Sequence, residues 1–343
     1  MGKQFRIAPI KRLSIVVLWS LALSLLLAAC GGSSSSNTLT IYSGRSETLV
    51  GPIIQQFGES SGVNVLVKYA GTSQLAATLL EEGKRTPADV FFAQDPGGLG
   101  AVENMLSPLP EDLLGLTPDW ARAPSGRWVG LSGRARTVVY NTEHLTEADL
   151  PDDIFGFVDS KWRGRIGWAP TNASFQTMVT AMRSIWGEDK TRQWLEGIND
   201  NEAKVYPKNT PIVAAAASGE IDVGFVNHYY LHRFLAEEGE GFQARNYHPR
   251  AGGPGSVVMV AGAGVLSSSD NQELAQRFLR FLLSPVAQSY FASETFEYPV
   301  ISGIRAQGGQ VPISDFAHPD VPVAVLADLE GTQNLLRSTG ILP

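Results

Sequence analysis

Apolar positions recur along the chain in two rhythms. Residues 38–43 (TLTIYS), 64–69 (NVLVKY) and 88–92 (ADVFF) form short β-rich runs. Between them Leu49, Ile53, Ile54 and Phe57, and then Leu75, Leu79 and Leu80, fall at the three-and-four spacing of one helix face. Gly44 ends the first run, and Gly83 closes the second helix. Pro96 opens a third helical stretch that reaches Met105. Three strand–helix units in series predict a parallel sheet covered by helices on both faces.

A proline-rich passage follows (Pro108, Pro110, Pro118, Pro124). Beyond it, strands are expected at 137–140, 165–168 and 221–226, and again at 256–261 and 264–266. Helical patterns cover 173–186 and 189–198, and Leu274, Phe278, Phe281 and Leu282 mark a later helix. No repeat is visible, and no linker separates two self-contained halves. The pattern predicts two α/β lobes that exchange chain, with a ligand held between them.

The start of the chain does not belong to that pattern. Residues 13–29 (LSIVVLWSLALSLLLAA) are almost all apolar and follow Lys11 and Arg12. This is shorter than the roughly 20 residues a helical membrane span needs, and it has the basic, apolar and small-residue order of a secretory signal. Its end, Leu27-Ala28-Ala29-Cys30, resembles a bacterial lipobox, which implies cleavage before Cys30 and lipidation of that thiol. The alternative is a plain signal peptide with an incidental cysteine. Residues 31–37 (GGSSSSN) fit a flexible tether spanning about 15 Å. The expected product is a globular body held by lipid on the outer side of a cytoplasmic membrane.

Composition narrows the function. A chain of 343 residues with 43% hydrophobic and 18% charged residues is not collagen-like, low-complexity or multi-span. Its formal charge is −7, and removing Lys3, Arg6, Lys11 and Arg12 with the signal leaves a still more acidic body. Such a surface repels phosphate backbones, so nucleic acid is not an expected partner. With one cysteine no internal disulfide can form, and neither thiol catalysis nor a cysteine zinc site is expected. Gly-x-Ser-x-Gly, Ser-x-x-Lys, His-Glu-x-x-His and P-loop motifs are absent, and the glycine-rich pieces fail dinucleotide spacing.

One cluster stands out, Asn227-His228-Tyr229-Tyr230-Leu231-His232, directly after the buried run 221–226. Ligands of α/β sheets bind at the carboxyl ends of strands. His228 and His232 are four apart and could share a zinc ion on a helix, but no further ligands are signalled. The plainer reading makes them packed or surface residues. Tyr229 and Tyr230 are either packing aromatics or a pair of hard oxygen donors. A phenol with a pKa near 10 ionises at neutral pH only beside a strong Lewis acid, and Fe³⁺ meets that need better than Mg²⁺ or Ca²⁺.

From about Thr38 onward the chain resembles the ferric-iron-binding components of bacterial ABC importers, within the type II periplasmic-binding-protein superfamily. The resemblance is carried by residues 41–45 (IYSGR), 87–92 (PADVFF), 131–136 (LSGRAR), 161–166 (KWRGRI), 219–222 (GEID) and the Asn227-x-Tyr229-Tyr230-x-His232 signature. It implies an α/β fold of two lobes, each a mixed sheet flanked by helices, with the ligand cleft between them. It also implies that Tyr229 and Tyr230 are the metal ligands and that His232 is not one.

Three further ligands found in relatives are missing. Ser46 stands where several supply histidine, Gln94 where they supply glutamate, and Phe175 where another branch has a third tyrosine. Two tyrosinates cannot fill an octahedral shell, so an exogenous anion is expected to complete it. By the same resemblance Arg45, Gln94, Arg136, Asn172, Ser174, Asn209 and Asn227 are the anion-binding candidates, with Arg134 second to Arg136. For each arginine the alternative is a surface charge or an interlobe salt bridge.

The resulting expectation is a monomeric lipoprotein, not an enzyme. It would bind Fe³⁺ with carbonate or another small anion such as citrate or phosphate, and deliver it to an inner-membrane ABC permease. The expected organisation is a signal peptide at 1–29, lipidated Cys30 and tether to 37, one lobe of 38–135 with 259–309, and a second of 136–258 with 310–343. The alternatives are the same fold binding a phosphonate, a polyamine or a ferric chelate, and an exported hydrolase.

Overall fold

A computed structural model describes residues 37–343, together with Met1, Gly2 and Gln4. The signal segment, Cys30 and tether positions 31–36 lie outside the described residues. Strand β1 (Thr38–Ser43) lies between β2 (Asn64–Tyr69) and β3 (Val90–Ala93), and both pairings are parallel. Parallel neighbours need crossovers, and helices α1 (Glu47–Ser61) and α2 (Thr72–Glu82) provide them. Helix α1 buries Leu49, Val50, Ile53, Ile54 and Phe57, the face that the spacing predicted, and stops at Gly62 in the left-handed region.

The first sheet is not purely parallel. Strand β9 (Val258–Val265) returns from far along the chain and pairs antiparallel with β3 on one side and with β4 (Val129–Asn141) on the other. It is one continuous strand where two pieces were expected, because Gly262, Ala263 and Gly264 carry no hydrophobic signal yet pair fully. Strand β4 is also longer than expected, at 13 residues, all buried. Its early part contains Gly130, Ser132, Gly133, Arg134 and Arg136, which hide the strand period.

β4 belongs to two sheets. Residues up to Ala135 pair with β9, and Ala135 lies opposite Val258. From Arg136, which lies opposite Asn227, the strand pairs with β7 (Val223–Asn227), and further on also with β8 (Ala244–Tyr247). Strands β5 (Ile166–Trp168) and β6 (Lys204–Val205) extend the second sheet in parallel from β7. The full order is β2-β1-β3-β9-β4-β7-β5-β6, with β8 paired to β4.

Helices pack on these sheets. α3 (Pro96–Ala101) and α4 (Glu111–Leu114) are short, so the stretch expected to reach Met105 ends early as an α-turn followed by a 3₁₀ turn. α5 (Ala173–Trp186) and α6 (Glu188–Asp200) match the sequence pattern and enclose an aromatic core. There Trp168 meets Phe175 edge-on at 5.7 Å, and Trp194 lies 5.3 Å from Phe225. Burying each of these rings is worth about 1.5–3 kcal/mol. α7 (Asn209–Ala217), α8 (Tyr229–Glu238), α9 (Gln272–Leu282), α10 (Pro285–Ser293) and α11 (Leu329–Ser338) complete the set. Among the described residues no helix is long and apolar enough to cross a membrane.

Candidate functional site

β7 ends at Asn227 and α8 starts two residues later, so the strand-to-helix turn delivers Tyr229 and Tyr230 together. Their rings stack at 4.3 Å with 30° between planes. Tyr229 is fully buried and Tyr230 is 8% exposed. The Tyr229 hydroxyl has no well-aligned hydrogen-bond partner. A buried hydroxyl without a well-aligned partner is costly and uncommon in folded proteins, and it needs an explanation. Burial, and then the neighbouring Tyr229, hold the Tyr230 phenol well above its ordinary value. Only a strongly charged Lewis acid would ionise the Tyr230 phenol.

Three guanidinium groups surround the pair. The carbons of Arg45 and Arg134 stand 5.7 and 5.9 Å from the centre of the Tyr229 ring. Arg45 is placed by the turn after β1, where Gly44 lies so close to Thr72 of α2 that any side chain there would collide with it. Arg134 and Arg136 are consecutive same-face positions of β4, on either side of the switch between sheets.

Arg136 gathers most of the anion candidates. Its Nη1 donates to Asn227 Oδ1 at 3.0 Å, Asn209 Oδ1 at 3.3 Å and Ser174 Oγ at 3.4 Å. Asn172 caps α5 by accepting from the Ser174 N–H at 3.1 Å and from its hydroxyl at 2.6 Å. Asn209 is the first residue of α7, and its amide reaches Asn172 at 3.4 Å. Two helix N-termini and the end of β7 therefore meet at one buried cation, an arrangement suited to an anion. All of Arg136's partners are neutral, and burial pulls it down to about 9, still protonated at neutral pH. Its Nε and Nη2 have no partner.

Arg45 sits differently. It is 2% exposed and pairs with Glu297, Nη2 to Oε2 at 2.7 Å. The same carboxylate lies 3.0 Å from Arg134 Nη2, while Arg134 Nη1 donates to the Gln94 carbonyl. Arg45 is held above its ordinary value by Glu297 against the opposing effect of burial, and Arg134 is lowered by burial and by Arg45. So Arg45 is in a buried ion pair, and Arg134, ranked second from sequence, stands over Tyr229 at nearly the same distance. Glu297 was not anticipated at all. It lies 252 residues from Arg45, and no local pattern marks it.

The remaining candidates divide. Gln94 is buried beside this group and touches Arg134 through its backbone carbonyl. Ser46 is exposed, and Phe175 packs into the aromatic core. His228 uses both ring nitrogens, Nδ1 with the Ala135 N–H at 3.1 Å and Nε2 with Gln310 at 3.0 Å. That leaves His228 no free lone pair for a metal. Among the described residues no group of three or more His, Cys, Asp or Glu side chains is placed to hold a metal.

Comparison with known proteins bears on this geometry. The family described as bacterial extracellular solute-binding protein matches residues 52–317. The chain is 33% identical over 308 residues to the major ferric iron-binding protein of Neisseria meningitidis serogroup B, covering 88% of this chain and 93% of that protein. The crystal structure of iron-bound HitA from Pseudomonas aeruginosa superposes with a TM-score of 0.85 at 31% identity, covering 88% of this chain and 99% of that one. The Trichodesmium protein IdiA (FutA), in complex with iron and citrate ligands, gives 0.74 at 27% identity, with coverage of 88% and 99%. The mixed α/β architecture is the type II periplasmic-binding-protein fold that the sequence led us to expect. The chain belongs to the bacterial extracellular solute-binding proteins, with ferric iron-binding proteins among its relatives.

Proposed function

We propose that this protein is an extracytoplasmic carrier of ferric iron. Tyr229 and Tyr230 supply two phenolate donors, and an exogenous anion completes the shell. The observation that carries this reading is the buried, stacked Tyr229–Tyr230 pair under two guanidinium groups, with the Tyr229 hydroxyl lacking a well-aligned hydrogen bond. Iron is the cargo, and no covalent step on a substrate is involved.

Charge supports the anion. Fe³⁺ with two phenolates leaves one positive charge. Around it stand Arg45, Arg134 and Arg136, and Glu297 offsets only one of them. Burying that excess unpaired would be strongly unfavourable. A multiply charged oxygen anion, carbonate or citrate, would both balance it and fill the coordination that Ser46, Gln94 and Phe175 leave open. The unused N–H groups of the arginines, with Gln94, Asn172, Ser174, Asn209 and Asn227 around them, would form its cradle.

In this reading residues 38–135 with 259–309 form one lobe, and 136–258 with 310–343 form the other. The arginine pair and the tyrosine pair then face each other across the cleft, and iron with its anion stabilises the closed form. The monomeric carrier, held to the membrane through lipidated Cys30, would present that closed form to an inner-membrane ABC permease. Metal analysis and a visible spectrum test the reading directly. Stoichiometric iron with a ferric–phenolate charge-transfer band supports it, whereas a protein that stays colourless and iron-free after ferric loading overturns it.

A further inference from the structure

The buried carboxylate of Glu297 lies outside the ligand set just described, yet the fold takes unusual steps to place it. Phe296, immediately before it, is in the left-handed region at φ 56°, which non-glycine residues rarely adopt. The Glu297 N–H then bonds the Phe291 carbonyl at 2.9 Å. Tyr298, immediately after it, exchanges two backbone hydrogen bonds with Gly133, at 2.6 and 2.9 Å. The segment is thus fastened to β4 one residue from Arg134. Thr295 Oγ1 adds a hydrogen bond to Oε2 at 3.1 Å. What results is a fully buried carboxylate between two fully buried guanidiniums.

We propose that Glu297 is a positioning residue for the iron-and-anion site: it holds Arg45 and Arg134 side by side over Tyr229 with hydrogen-bonding edges left free. This rests on the ferric reading above. Each arginine uses part of its fork for Glu297 or Gln94, and Arg45 Nε and Nη1 and Arg134 Nε make no well-aligned hydrogen bond within the protein. Two like charges this close would separate if the carboxylate did not lie between them. A guanidinium keeps its five donors in a rigid plane, so fixing one edge fixes the direction of the others. Glu297 therefore acts on the bound anion through the two arginines, without touching it.

Charge and position predict opposite results, which makes the proposal testable. Removing a negative charge beside the site should by Coulomb attraction alone tighten anion binding. If Glu297 works by position, Glu297→Gln should instead weaken citrate binding to the apo-protein. Glu297→Asp keeps the charge and withdraws it by one methylene, so it cannot span both arginines and should weaken binding too. Each variant should lose roughly 10–100-fold in ferric affinity measured against nitrilotriacetate, the range expected when a group supporting a metal site is changed. Each should also shift the visible band. Circular dichroism of each apo-variant confirms that the comparison is between folded proteins, and if Glu297→Gln does not fold, Glu297→Asp carries the test. Tighter citrate binding in Glu297→Gln, or wild-type affinity and band in Glu297→Asp, would overturn the proposal. Failure of the ferric reading itself is distinguishable, because the wild type would then stay colourless and iron-free after ferric loading.

Discussion

His228 Nδ1 accepts a hydrogen bond at 3.1 Å from the backbone N–H of Ala135, where β4 leaves the first sheet for the second. The His228 N–H in turn donates to the Ala135 carbonyl at 3.0 Å. The residue beside the tyrosine pair is thereby tied to the strand shared by the two sheets. Because Nδ1 is the acceptor, the ring proton sits on Nε2 and faces Gln310 Oε1. His228→Phe would keep the ring against Tyr298, on which His228 stacks at 4.3 Å, but would leave the Ala135 N–H unpaired. We expect a loss of about 1–3 kcal/mol in urea unfolding of the apo-protein. Unchanged stability would mean that the bond contributes little.

Tyr229→Phe removes a buried hydroxyl that lacks a well-aligned hydrogen bond, so the apo-fold should change little. Tyr230→Phe should fold as well, since the ring stays. A ligand present at a thousandfold over its Kd stabilises by about 4 kcal/mol. The wild type should therefore show a large iron-induced rise in Tm that both variants lack. Persistence of that rise and of the colour in either variant would exclude that tyrosine as a ligand.

Arg136 offers the cleaner test of the anion. Replacing Arg45 would strand buried Glu297, whereas the partners of Arg136 are all neutral. In buffer free of bicarbonate, phosphate and citrate, wild-type protein should bind ferric ion poorly and recover when an anion is added. Arg136→Gln should blunt that recovery by about tenfold or more, corresponding to loss of one charge-assisted contact of roughly 1.5–3 kcal/mol. Tight iron binding without any added anion would point to a protein ligand in its place.

Stability of the apo-protein should fall in mild acid. Burial and then nearby His232 push His248 down to about 4, and burial lowers His232 as well. In the unfolded chain histidine takes up its proton near 6.5. Between these values the unfolded state binds more protons, so stability is lost as pH falls from about 6.5 toward 4. His248 alone should account for up to about 3 kcal/mol of that loss. Denaturant titrations across this range should show the decline, and His248→Phe, which preserves the stack on Phe316, should lessen but not abolish it, since burial lowers His228 and His232 as well.

Membrane attachment depends, in this reading, on Cys30. Cys30→Ser should shift the protein from the membrane fraction to the soluble fraction or stop its processing. Mass spectrometry of the wild type should find lipid on that residue. An unmodified Cys30 in wholly soluble wild-type protein would refute the anchor.

The sequence by itself determined the elements that repeat a simple period. Strands β1 to β3 and helices α1, α2, α5 and α6 each carry a short apolar run or a regular apolar spacing, which marks them within a few residues. The tyrosine pair was legible for a related reason, since it follows a buried apolar run at a strand end. Other elements have no such face. α7 is a run of alanines at its end, and the early half of β4 alternates glycine, serine and arginine. Their identity comes from partners distant in the chain, Val258 to Ala263 in the case of β4. The electrostatics of the site depend on tertiary structure still more strongly. Read alone, Arg134, Arg136 and Glu297 are ordinary charges that water would solvate. Only the packed fold takes them out of water, and a buried charge must then find a partner wherever the chain supplies one. For Arg45 that partner lies 252 residues away, a distance over which no local pattern extends.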